Sequence, residues 1–386
     1  MRIAIDGSKA INESAGIGRY THEIIKNLIN FYPQDDFFVY FNFLRGKEGK
    51  LKKINNLIDG KKNVVSKIYS LPGWLKERFF ASPWSISNFW VKGSDIFHAT
   101  EFLSFDNGLR IPQVLTVHDL TMIKFPQQRG KSVSYRHGEM LKRACQNTTK
   151  IISVSDSTKN DIIKYFGIKS EKIKTIYSGI DPIYHKIIDR KAVEKFLNQK
   201  YHIRFPFILF VSTIEPRKNI SNLLKAFDKF AGTKEGTNYN LILVGKKGWN
   251  TEETEATYQR IKNKNKVRFM DFVPTEDLVY FYNGADLFCY PSLYEGFGLP
   301  VLEAMACGVP VLTSNISSLP EVGGKAAEYA DPNSFDDIYK KMNEIIANTK
   351  KQQEMSKLGI EQAKKFSWEE CAKETHQVYE EVLKNV

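Results

Sequence analysis

Short apolar runs alternate with longer amphipathic stretches along most of this chain, and this alternation limits the possible folds more than any other feature. One series of runs covers residues 2–6, 36–43, 95–99, 113–117 and 150–154, and a second covers 207–211, 241–244, 267–272, 287–290 and 311–313. Their length and β-branched content indicate buried strands rather than turns of buried helix, and the stretches between them have helical spacing. Strands that alternate with helices form parallel sheets. We therefore predict an α/β protein with two doubly wound parallel sheets.

The domain boundaries follow from the polar stretch that separates the two series. The chain has 386 residues, which is too long for one ordinary core. A Lys-rich segment around 189–201 lies between the series, so we predict one domain over 1–190 and another over 191–367. A final helix, which Ser367 is suited to cap, covers 368–386 and is expected to join the first domain. Ligands of such sheets bind at the carboxyl ends of the strands, here in a cleft between the two domains.

The charge balance favours anionic partners. A formal net charge of +12 and a pI near 9.2 produce a field that attracts nucleotide diphosphates, nucleic acid or anionic lipid. Charge alone does not choose among these classes. A nucleic-acid-binding protein is one alternative, but no recognisable binding module is present, so we expect no specific nucleic-acid partner.

Composition and the N-terminal sequence predict a cytoplasmic location. The four cysteines lie far apart without a C-x-x-C pair, which favours reduced thiols over a disulfide framework or a zinc site. They are Cys145, Cys289, Cys307 and Cys371. The first residues enter a strand pattern directly and give no export signal, and no apolar run has the length to span a bilayer. Any membrane association is expected to be peripheral.

The most specific segment is residues 294–310, which read YEGFGLPVLEAMACGVP after the strand that ends at Tyr290. Pro300 suits the start of a helix and Gly308 suits its C-terminal exit. Gly296 and Gly298 allow the backbone to approach a ligand closely, and the free N–H groups of a helix N-terminus stabilise phosphate or sugar oxygens. The segment therefore predicts a glycine loop that leads into a ligand-binding helix.

Two carboxylates are expected near this ligand site, Glu295 in the loop and Glu303 in the first helical turn. A carboxylate accepts hydrogen bonds from two neighbouring hydroxyls, so two of them suit a ligand with two polyol parts, such as a nucleotide sugar with its ribose and hexose. The alternative is structural, with Glu303 favouring the helix N-terminus and Glu295 solvated in the loop. For either residue alone the two interpretations are equally good.

Taken together, this segment resembles the E-x7-E signature of glycosyltransferase family 4, and the resemblance runs over nearly the whole chain. Within that family the chain is most similar to bacterial mannosyltransferases that build O-antigen and other surface polysaccharides. The resemblance implies a GT-B fold, with two Rossmann-like domains that face each other across a cleft. It also implies that Glu303 holds the ribose hydroxyls of a nucleotide-sugar donor and Glu295 its sugar hydroxyls. The backbone N–H groups of Phe297, Gly298 and Leu299 are then expected nearby.

Arg217 and Lys218 follow the first strand of the second series, where cations can neutralise a leaving diphosphate. Lys218 matches the family pattern well. The family's arginine usually lies nearer the strand, at about the position of Thr213, so Arg217 departs from the pattern. Outside this context, two basic residues in a loop are usually only solvated.

Two further strand ends of the first series carry candidate residues. Gly16 and Gly18 lie between the first strand and its helix and resemble the family's glycine loop, which reaches the donor phosphate. The G-x-G-x-x-G fingerprint of NAD enzymes is absent, because Thr21 occupies the place of its third glycine. The resemblance puts His118 beside the transferred sugar and Asp119 in a supporting or acceptor-side position. A strand-end histidine satisfied by backbone groups is the structural alternative.

No Asp-x-Asp motif occurs, and His and carboxylate residues do not cluster at metal-ligand spacing, so neither a metal nor another cofactor is expected. Arg217, Lys218 and backbone N–H groups are expected to stabilise the departing diphosphate while the sugar passes through an oxocarbenium-like state. The resemblance implies retention at the anomeric carbon. No nucleophile equivalent to that of retaining hydrolases is identified.

Residues 67–92 mix aromatic and basic side chains, which suits either contact with an anionic membrane or an irregular helical hairpin packed on the sheet. Membrane contact would bring the first domain to a lipid-linked acceptor.

The identity of the donor also stays open, between GDP-mannose and a UDP-sugar used by an enzyme of the same fold. An epimerase or phosphorylase of this fold is a remoter alternative, and no pyridoxal lysine is identified for the latter.

Overall fold

The structure of the protein is a computed structural model that describes residues 1–11, 16–44, 46–72, 88, 91–101, 109–128 and 130–385. The chain folds into two compact units. The first contains Met1–Lys124, Lys131–Gly179 and Ser367–Val386, and the second contains Phe125–Gly130 and Ile180–Phe366. Each unit is organised around one parallel sheet.

The first unit has a seven-stranded sheet with the order β3-β2-β1-β4-β5-β6-β7. Its strands are β1 (Arg2–Asp6), β2 (Asp36–Asn42), β3 (Val64–Tyr69), β4 (Ile96–Ala99), β5 (Gln113–Val117), β6 (Lys150–Ser153) and β7 (Ile173–Thr175). Before residue 180, the described helices of this unit are α1 (Gly16–Phe31), α2 (Lys47–Ile58), α3 (Thr121–Lys124), α4 (Lys131–Asn147) and α5 (Asp156–Phe166). The central strands β4 and β5 are buried along their whole length.

The second unit has a six-stranded sheet with the order β10-β9-β8-β11-β12-β13. Its strands are β8 (Phe207–Val211), β9 (Asn240–Val244), β10 (Val267–Met270), β11 (Leu287–Tyr290), β12 (Val311–Ser314) and β13 (Glu328–Ala330). Its helices are α6 (Arg190–Tyr201), α7 (Ile220–Ala231), α8 (Glu252–Arg260), α9 (Thr275–Gly284), α10 (Leu299–Ala306), α11 (Leu319–Gly323), α12 (Phe335–Ile346) and α13 (Thr349–Ala363).

Strand order reverses once in each sheet, between β1 and β4 in the first unit and between β8 and β11 in the second. At such a point the connections on either side leave towards opposite faces, which opens a crevice at the carboxyl ends of the two central strands. The residues that follow these strands are therefore placed to meet a ligand.

A last helix, α14 (Trp368–Lys384), returns the chain to the first unit. The side chain of Ser367 accepts a hydrogen bond from the backbone N–H of Glu370 and caps the helix, as the sequence predicts. Several residues of one face of α14 are buried, among them Cys371 and Tyr379. Capping and burial together fix this helix on the first unit.

The ten predicted strands are confirmed, with ends that differ by at most two residues. Three strands were not predicted, namely β3, β7 and β13, and each lies at the edge of a sheet. An edge strand has a neighbour on one side only and does not need a continuous apolar run. In β3, for example, Val65 is half exposed, and β7 has only three residues.

Helix α1 begins earlier than the sequence indicates. Gly16 and Gly18 form its first turn, rather than a loop that precedes the helix. The first N–H groups of a helix need no intrahelical partner, so glycine is tolerated there. Residues 12–15, which lead into this turn, are outside the described part of the chain.

The aromatic and basic segment 67–92 also lies largely outside the described residues, because only 67–72, 88, 91 and 92 of it are included. Its membrane contact stays a prediction. Among the helices of the described chain, none combines the length and the apolar character needed to cross a bilayer.

Replacement of Ser367 by alanine is expected to lower the free energy of unfolding by about 1 kcal/mol, because one N–H group of the first turn of α14 loses its partner. Chemical denaturation of the wild type and the variant measures the difference. Ser367→Asp is the matched control: its carboxylate also caps and favours the helix dipole, so it should retain wild-type stability. Equal stability of the alanine variant and the wild type would contradict this role for the cap.

Candidate active site

Two loops meet at the switch point of the second sheet, where the strand order reverses between β8 and β11, and hydrogen bonds hold them together. The loop after β8 contains a short 3-10 helix, Pro216–Lys218, and the loop after β11 leads through residues 291–298 to α10. The backbone N–H of Leu293 donates to the carbonyl of Arg217 at 2.8 Å. The side-chain amide of Asn219 donates to the carbonyl of Pro291 at 3.0 Å. The two loops therefore form one connected structure.

Glu295 is the centre of this structure. Its Oε1 accepts hydrogen bonds from Lys218 Nζ at 2.6 Å, Ser292 Oγ at 2.6 Å and Tyr290 OH at 2.9 Å. Its Oε2 accepts from Arg217 Nη1 at 2.9 Å. The residue is only 7% exposed. Burial by itself would raise the pKa of Glu295, but the two cations and their hydrogen bonds outweigh it and lower the pKa to about 2.

Arg217 also contacts a second carboxylate, Glu215. Its Nε and Nη2 donate to Glu215 Oε1 at 3.2 and 2.7 Å, and its Nη1 donates to the carbonyl of Tyr294 at 2.5 Å. Burial and the neighbouring charge of Arg217 lower the pKa of Lys218, although Glu295 and Glu215 oppose this effect. We call these four residues the charge cluster: Arg217, Lys218, Glu215 and Glu295. The cluster brings two positive and two negative groups together.

The environment of the two cations in the charge cluster differs from the one that the sequence predicts. In the sequence they are candidates for free cations or solvated loop residues, whereas in the structure Lys218 is buried and both are paired with carboxylates. A diphosphate that approaches Arg217 and Lys218 must therefore compete with Glu215 and Glu295. The cluster is close to neutral as a whole, so its attraction for an anion depends on a change of partners.

The glycine loop leads into α10 as predicted. Gly298 has a φ of +116°, in the region that favours glycine, and a Cβ there would lie 3.0 Å from Leu319 Cδ2. Ser318 Oγ donates to the carbonyls of Glu295 and Phe297 at 3.0 and 2.7 Å, which fixes the loop from the side of β12. The N–H groups of Phe297, Gly298 and Leu299 consequently lie at the N-terminal end of α10, where the sequence predicts a donor-binding backbone.

Glu303 lies deeper in the helix than predicted. It is the fifth residue of α10 and belongs to the second turn rather than the first, because the helix begins at Leu299, one residue before the predicted start at Pro300. Its side chain is buried, and Oε2 accepts a hydrogen bond from Tyr282 OH at 2.7 Å. Burial and the adjacent carboxylate raise the pKa of Tyr282 well above its usual value, so this phenol stays a donor. The role of Glu303 in holding ribose stays a prediction.

His118 follows β5 in the first unit. Its Nε2 lies 2.8 Å from the carbonyl oxygen of Thr100, which can only accept, so Nε2 carries the proton. Burial lowers the pKa of His118, although Thr100, Asp119 and Glu101 oppose this effect. The ring is therefore neutral near pH 7, and its Nδ1 is a hydrogen-bond acceptor. Its backbone carbonyl already accepts a hydrogen bond from Thr158 Oγ1 at 3.2 Å.

Asp119 has a local structural partner, because one of its carboxylate oxygens accepts a hydrogen bond from the backbone N–H of Thr121 at 2.8 Å, at the start of α3. Gly16 and Gly18 contribute backbone to the first turn of α1. The structure therefore joins Arg217, Lys218 and Glu295 in one cluster, and it places His118, Asp119, Gly16 and Gly18 in the other unit. The functional assignments of all these residues stay predictions.

Several residues of the site were not identified from the sequence. Glu215 lies two residues before Arg217 in the same loop, and this short spacing was a usable signal. Tyr290 and Ser292 lie just before Glu295, and their polar groups at a strand end were a weaker signal. Ser317 and Ser318 come from the loop after β12, and no sequence pattern connects them with Glu295.

Metal ligands are not grouped in the described part of the chain: no set of three His, Cys, Asp or Glu side chains there could hold an ion. Metal independence of the reaction stays a prediction. The charge cluster instead provides two protein cations at the end of β8.

The low pKa of Glu295 predicts a pH-dependent contribution to stability. Its folded value of about 2 lies below the ordinary 4.5, so the stabilisation is present above pH 4.5 and is lost as the pH falls towards 2. At most roughly 3 kcal/mol of unfolding free energy is involved. Glu295→Gln should therefore be less stable than the wild type at pH 7, with a flatter loss of Tm between pH 5 and 2.

Thermal denaturation across this pH range tests the prediction, with Glu252→Gln, which replaces an exposed carboxylate on α8, as control. The control should follow the wild-type curve. Parallel curves for Glu295→Gln and the wild type would show that Glu295 is not the group responsible.

Comparison with known proteins agrees with the architecture of both units. Residues 14–183 match the family described as Glycosyltransferase Family 4, and residues 194–362 match Glycosyl transferases group 1. The chain is 36% identical over 268 residues to O-antigen chain mannosyltransferase B of Escherichia coli, which is 69% of either chain.

Among solved structures, sucrose-phosphate synthase from Thermosynechococcus elongatus superimposes with a TM-score of 0.79 at 19% identity and covers 100% of both chains. HepE from Anabaena, in complex with UDP and glucose, superimposes with a TM-score of 0.73 at 18% identity and covers 98% of this chain and 99% of its own. At these identities the structural matches show a shared fold, which is the GT-B fold.

Proposed function

The chain belongs to glycosyltransferase family 4, and we propose that it transfers mannose from GDP-mannose to a glycan or lipid-linked glycan acceptor in O-antigen or other surface-polysaccharide synthesis. That it is a glycosyltransferase follows from its family and its relatives. The proposal adds the donor, the acceptor class, retention at the anomeric carbon and independence of metal ions. The observation that carries it is the charge cluster at the switch point of the second sheet, together with the mannosyltransferase relative.

The donor is proposed to bind to the second unit by an exchange of partners. The diphosphate accepts hydrogen bonds from Lys218, from Arg217 and from the N–H groups at the start of α10. The dipole of this helix favours an anion at its N-terminal end. Glu295, released from part of its contact with the cations, accepts hydrogen bonds from the sugar hydroxyls. Glu303 accepts from the ribose hydroxyls and Tyr282 continues to orient it.

The chemical step breaks the bond between the anomeric carbon and the diphosphate oxygen, and forms a bond from the same face of that carbon to the acceptor oxygen. Negative charge develops on the departing diphosphate, where Lys218 and Arg217 stabilise it. The proton of the acceptor hydroxyl passes to the diphosphate, so no protein base is required, and attack by the acceptor from the face that the diphosphate leaves requires no protein nucleophile. His118, neutral and with Nδ1 as acceptor, is proposed to orient a hydroxyl of the transferred sugar.

A site of this kind is proposed to work in the cytoplasm, where nucleotide sugars are the available donors. A lipid-linked acceptor would require peripheral contact with the anionic inner face of the cytoplasmic membrane. Juxtamembrane basic residues attract such a surface by about 1 kcal/mol each, and residues 67–92 are the segment of suitable composition. Flotation of the protein with vesicles that contain anionic lipid tests this contact.

Binding of GDP-mannose should raise Tm in the presence of EDTA, because a ligand of the folded state stabilises it by about 2.7 kcal/mol at a hundredfold excess over Kd. A thermal-shift series compares GDP-mannose and GDP with UDP-glucose, UDP-N-acetylglucosamine and UDP. Stabilisation by uridine nucleotides alone would replace the proposed donor by a UDP-sugar. An increase in Tm that requires Mg²⁺ would contradict metal independence, and no increase with any nucleotide would contradict the donor site.

Glu295→Gln should lower the turnover of sugar transfer by roughly 10²-fold or more while nucleotide binding is kept or strengthened. The variant loses a charge-assisted acceptor for sugar hydroxyls, but it also removes the carboxylate that competes with the diphosphate for Lys218 and Arg217. Rate measurements with labelled donor and calorimetry with GDP provide the two readouts. Wild-type turnover in this variant would show that Glu295 does not position the sugar.

Glu215→Gln is the matched control for this experiment. It removes the other carboxylate partner of Arg217 and leaves Glu295 in place. It should likewise preserve or strengthen GDP binding, but with turnover much closer to wild type. Equal loss of turnover in both variants would indicate that charge balance, rather than sugar contact, explains the effect of Glu295.

A further inference from the structure

A row of polar side chains crosses the core of the first unit and reaches the ring next to His118. It consists of Tyr379 on α14, His98 on β4, Thr116 on β5 and Tyr20 on α1, and each is at most 1% exposed. Tyr379 OH lies 2.6 Å from His98 Nδ1, and His98 Nε2 lies 2.8 Å from Thr116 Oγ1. Thr116 Oγ1 lies 3.1 Å from Tyr20 OH. Four separate elements are thus joined by side-chain hydrogen bonds.

Such a row is an unusual way to fill a core. Each polar group loses its contacts with water on burial, and a hydrogen bond inside the protein returns little net stability. Burial lowers the pKa of His98 to about 3, so the ring is neutral and has one donor and one acceptor nitrogen. Both nitrogens have partners, in Tyr379 and Thr116. A fully satisfied network of this kind fixes the orientation of its members, which apolar side chains of similar size would not do.

The member at the end of the row, Tyr20, contacts His118. The two ring centroids are 4.8 Å apart with an interplanar angle of 84°, an edge-to-face arrangement. On another side, the ring of Tyr20 meets Trp368 at 5.9 Å. The hydrogen bond from His118 Nε2 to Thr100 holds one atom of the imidazole but leaves the ring able to turn about that bond. The edge-to-face contact with Tyr20 leaves less room for a rotation that would change the direction of Nδ1.

We infer that Tyr20 is a positioning residue for His118, held in place by its hydroxyl bond to Thr116 and through it by His98. The inference rests on the proposed function, in which His118 Nδ1 accepts a hydrogen bond from a sugar hydroxyl. It assigns a purpose to the buried polar row that packing does not explain. It also connects α1, whose first turn contains Gly16 and Gly18, with the strand end that carries His118.

Several charged or titratable groups influence the pKa of His118 and must be considered when its titration is measured. Burial disfavours its protonated form, whereas the hydrogen bond to Thr100 and the charges of Asp119 and Glu101 favour it. Glu101 is itself paired with Lys9 at 3.2 Å. Looser packing of the Tyr20 ring would admit water to the imidazole, so the pKa of His118 should rise.

The experiment compares Tyr20→Phe and Thr116→Val with the wild type by two readouts. The first is the titration of His118, followed by NMR of protein labelled at its histidines and assigned with the His118→Asn variant. The second is the kinetics of sugar transfer. Both variants should raise the pKa of His118 by roughly half a unit or more and lower kcat by about fivefold or more, with KM for the donor within about twofold.

Thr116→Ser retains the hydroxyl and should restore both values, which a general loss of packing would not allow. Tyr329→Phe is the matched control, because it removes a hydroxyl that donates to the carbonyl of Gly324 in the second unit. It should leave His118 and kcat unchanged.

An unchanged titration of His118 in Tyr20→Phe and Thr116→Val would overturn the inference, whatever happens to activity. A fall in kcat of the same size in Tyr329→Phe would also overturn it. Should the wild type transfer no sugar, the proposed function fails, while the NMR titration still decides whether Tyr20 positions His118.

Discussion

The contact of one buried carboxylate with two cations is the interaction on which the arrangement of the second unit depends. Glu295 accepts from Lys218 and Arg217 in a site almost without solvent, where unpaired charges are costly. Without it, Lys218 would lose the carboxylate that pairs with its buried ammonium group, whereas Arg217 would keep its pair with Glu215. Because the two cations and Glu295 come from different loops, their pairing also determines how the loops after β8 and β11 lie against each other. The buried ion pairs therefore fix the backbone of these two loops, which lie outside the helices and strands.

Much of the fold is predictable from the sequence, for reasons that are visible in individual elements. Strand β8 is buried along nearly its whole length and is a continuous apolar run, and β5 is fully buried with apolar residues at three of its five positions. Ser367 predicts the start of α14 because N-capping is a local interaction between residues three positions apart. β3 and β13 were missed since an edge strand tolerates polar and exposed side chains. The early start of α1 was missed because two glycines usually indicate a loop.

The candidate site is less predictable because its decisive contacts are long-range. The loop that carries Glu295 is evident from its glycines and Pro300, and Lys218 is evident as a basic residue at a strand end. Their contact is not evident, since 77 positions separate them in the chain. Likewise, no pattern around residue 118 indicates that Tyr20 lies against its ring. Residue types at strand ends can be read locally, whereas the pairs that they form depend on strand order.

The geometry of the charge cluster suggests different tasks for its two cations. Arg217 donates hydrogen bonds to Glu215, Tyr294 and Glu295 through a guanidinium whose five N–H groups lie in a fixed plane. Its release would disturb the connection between two loops. Lys218 donates to Glu295 and Tyr290 through an ammonium group that can rotate and has three donors. We therefore propose that a diphosphate is accommodated with least rearrangement if Lys218 changes partners fully and Arg217 only in part. The lysine would then act mainly on the leaving group, and the arginine would bind it while keeping the two loops connected.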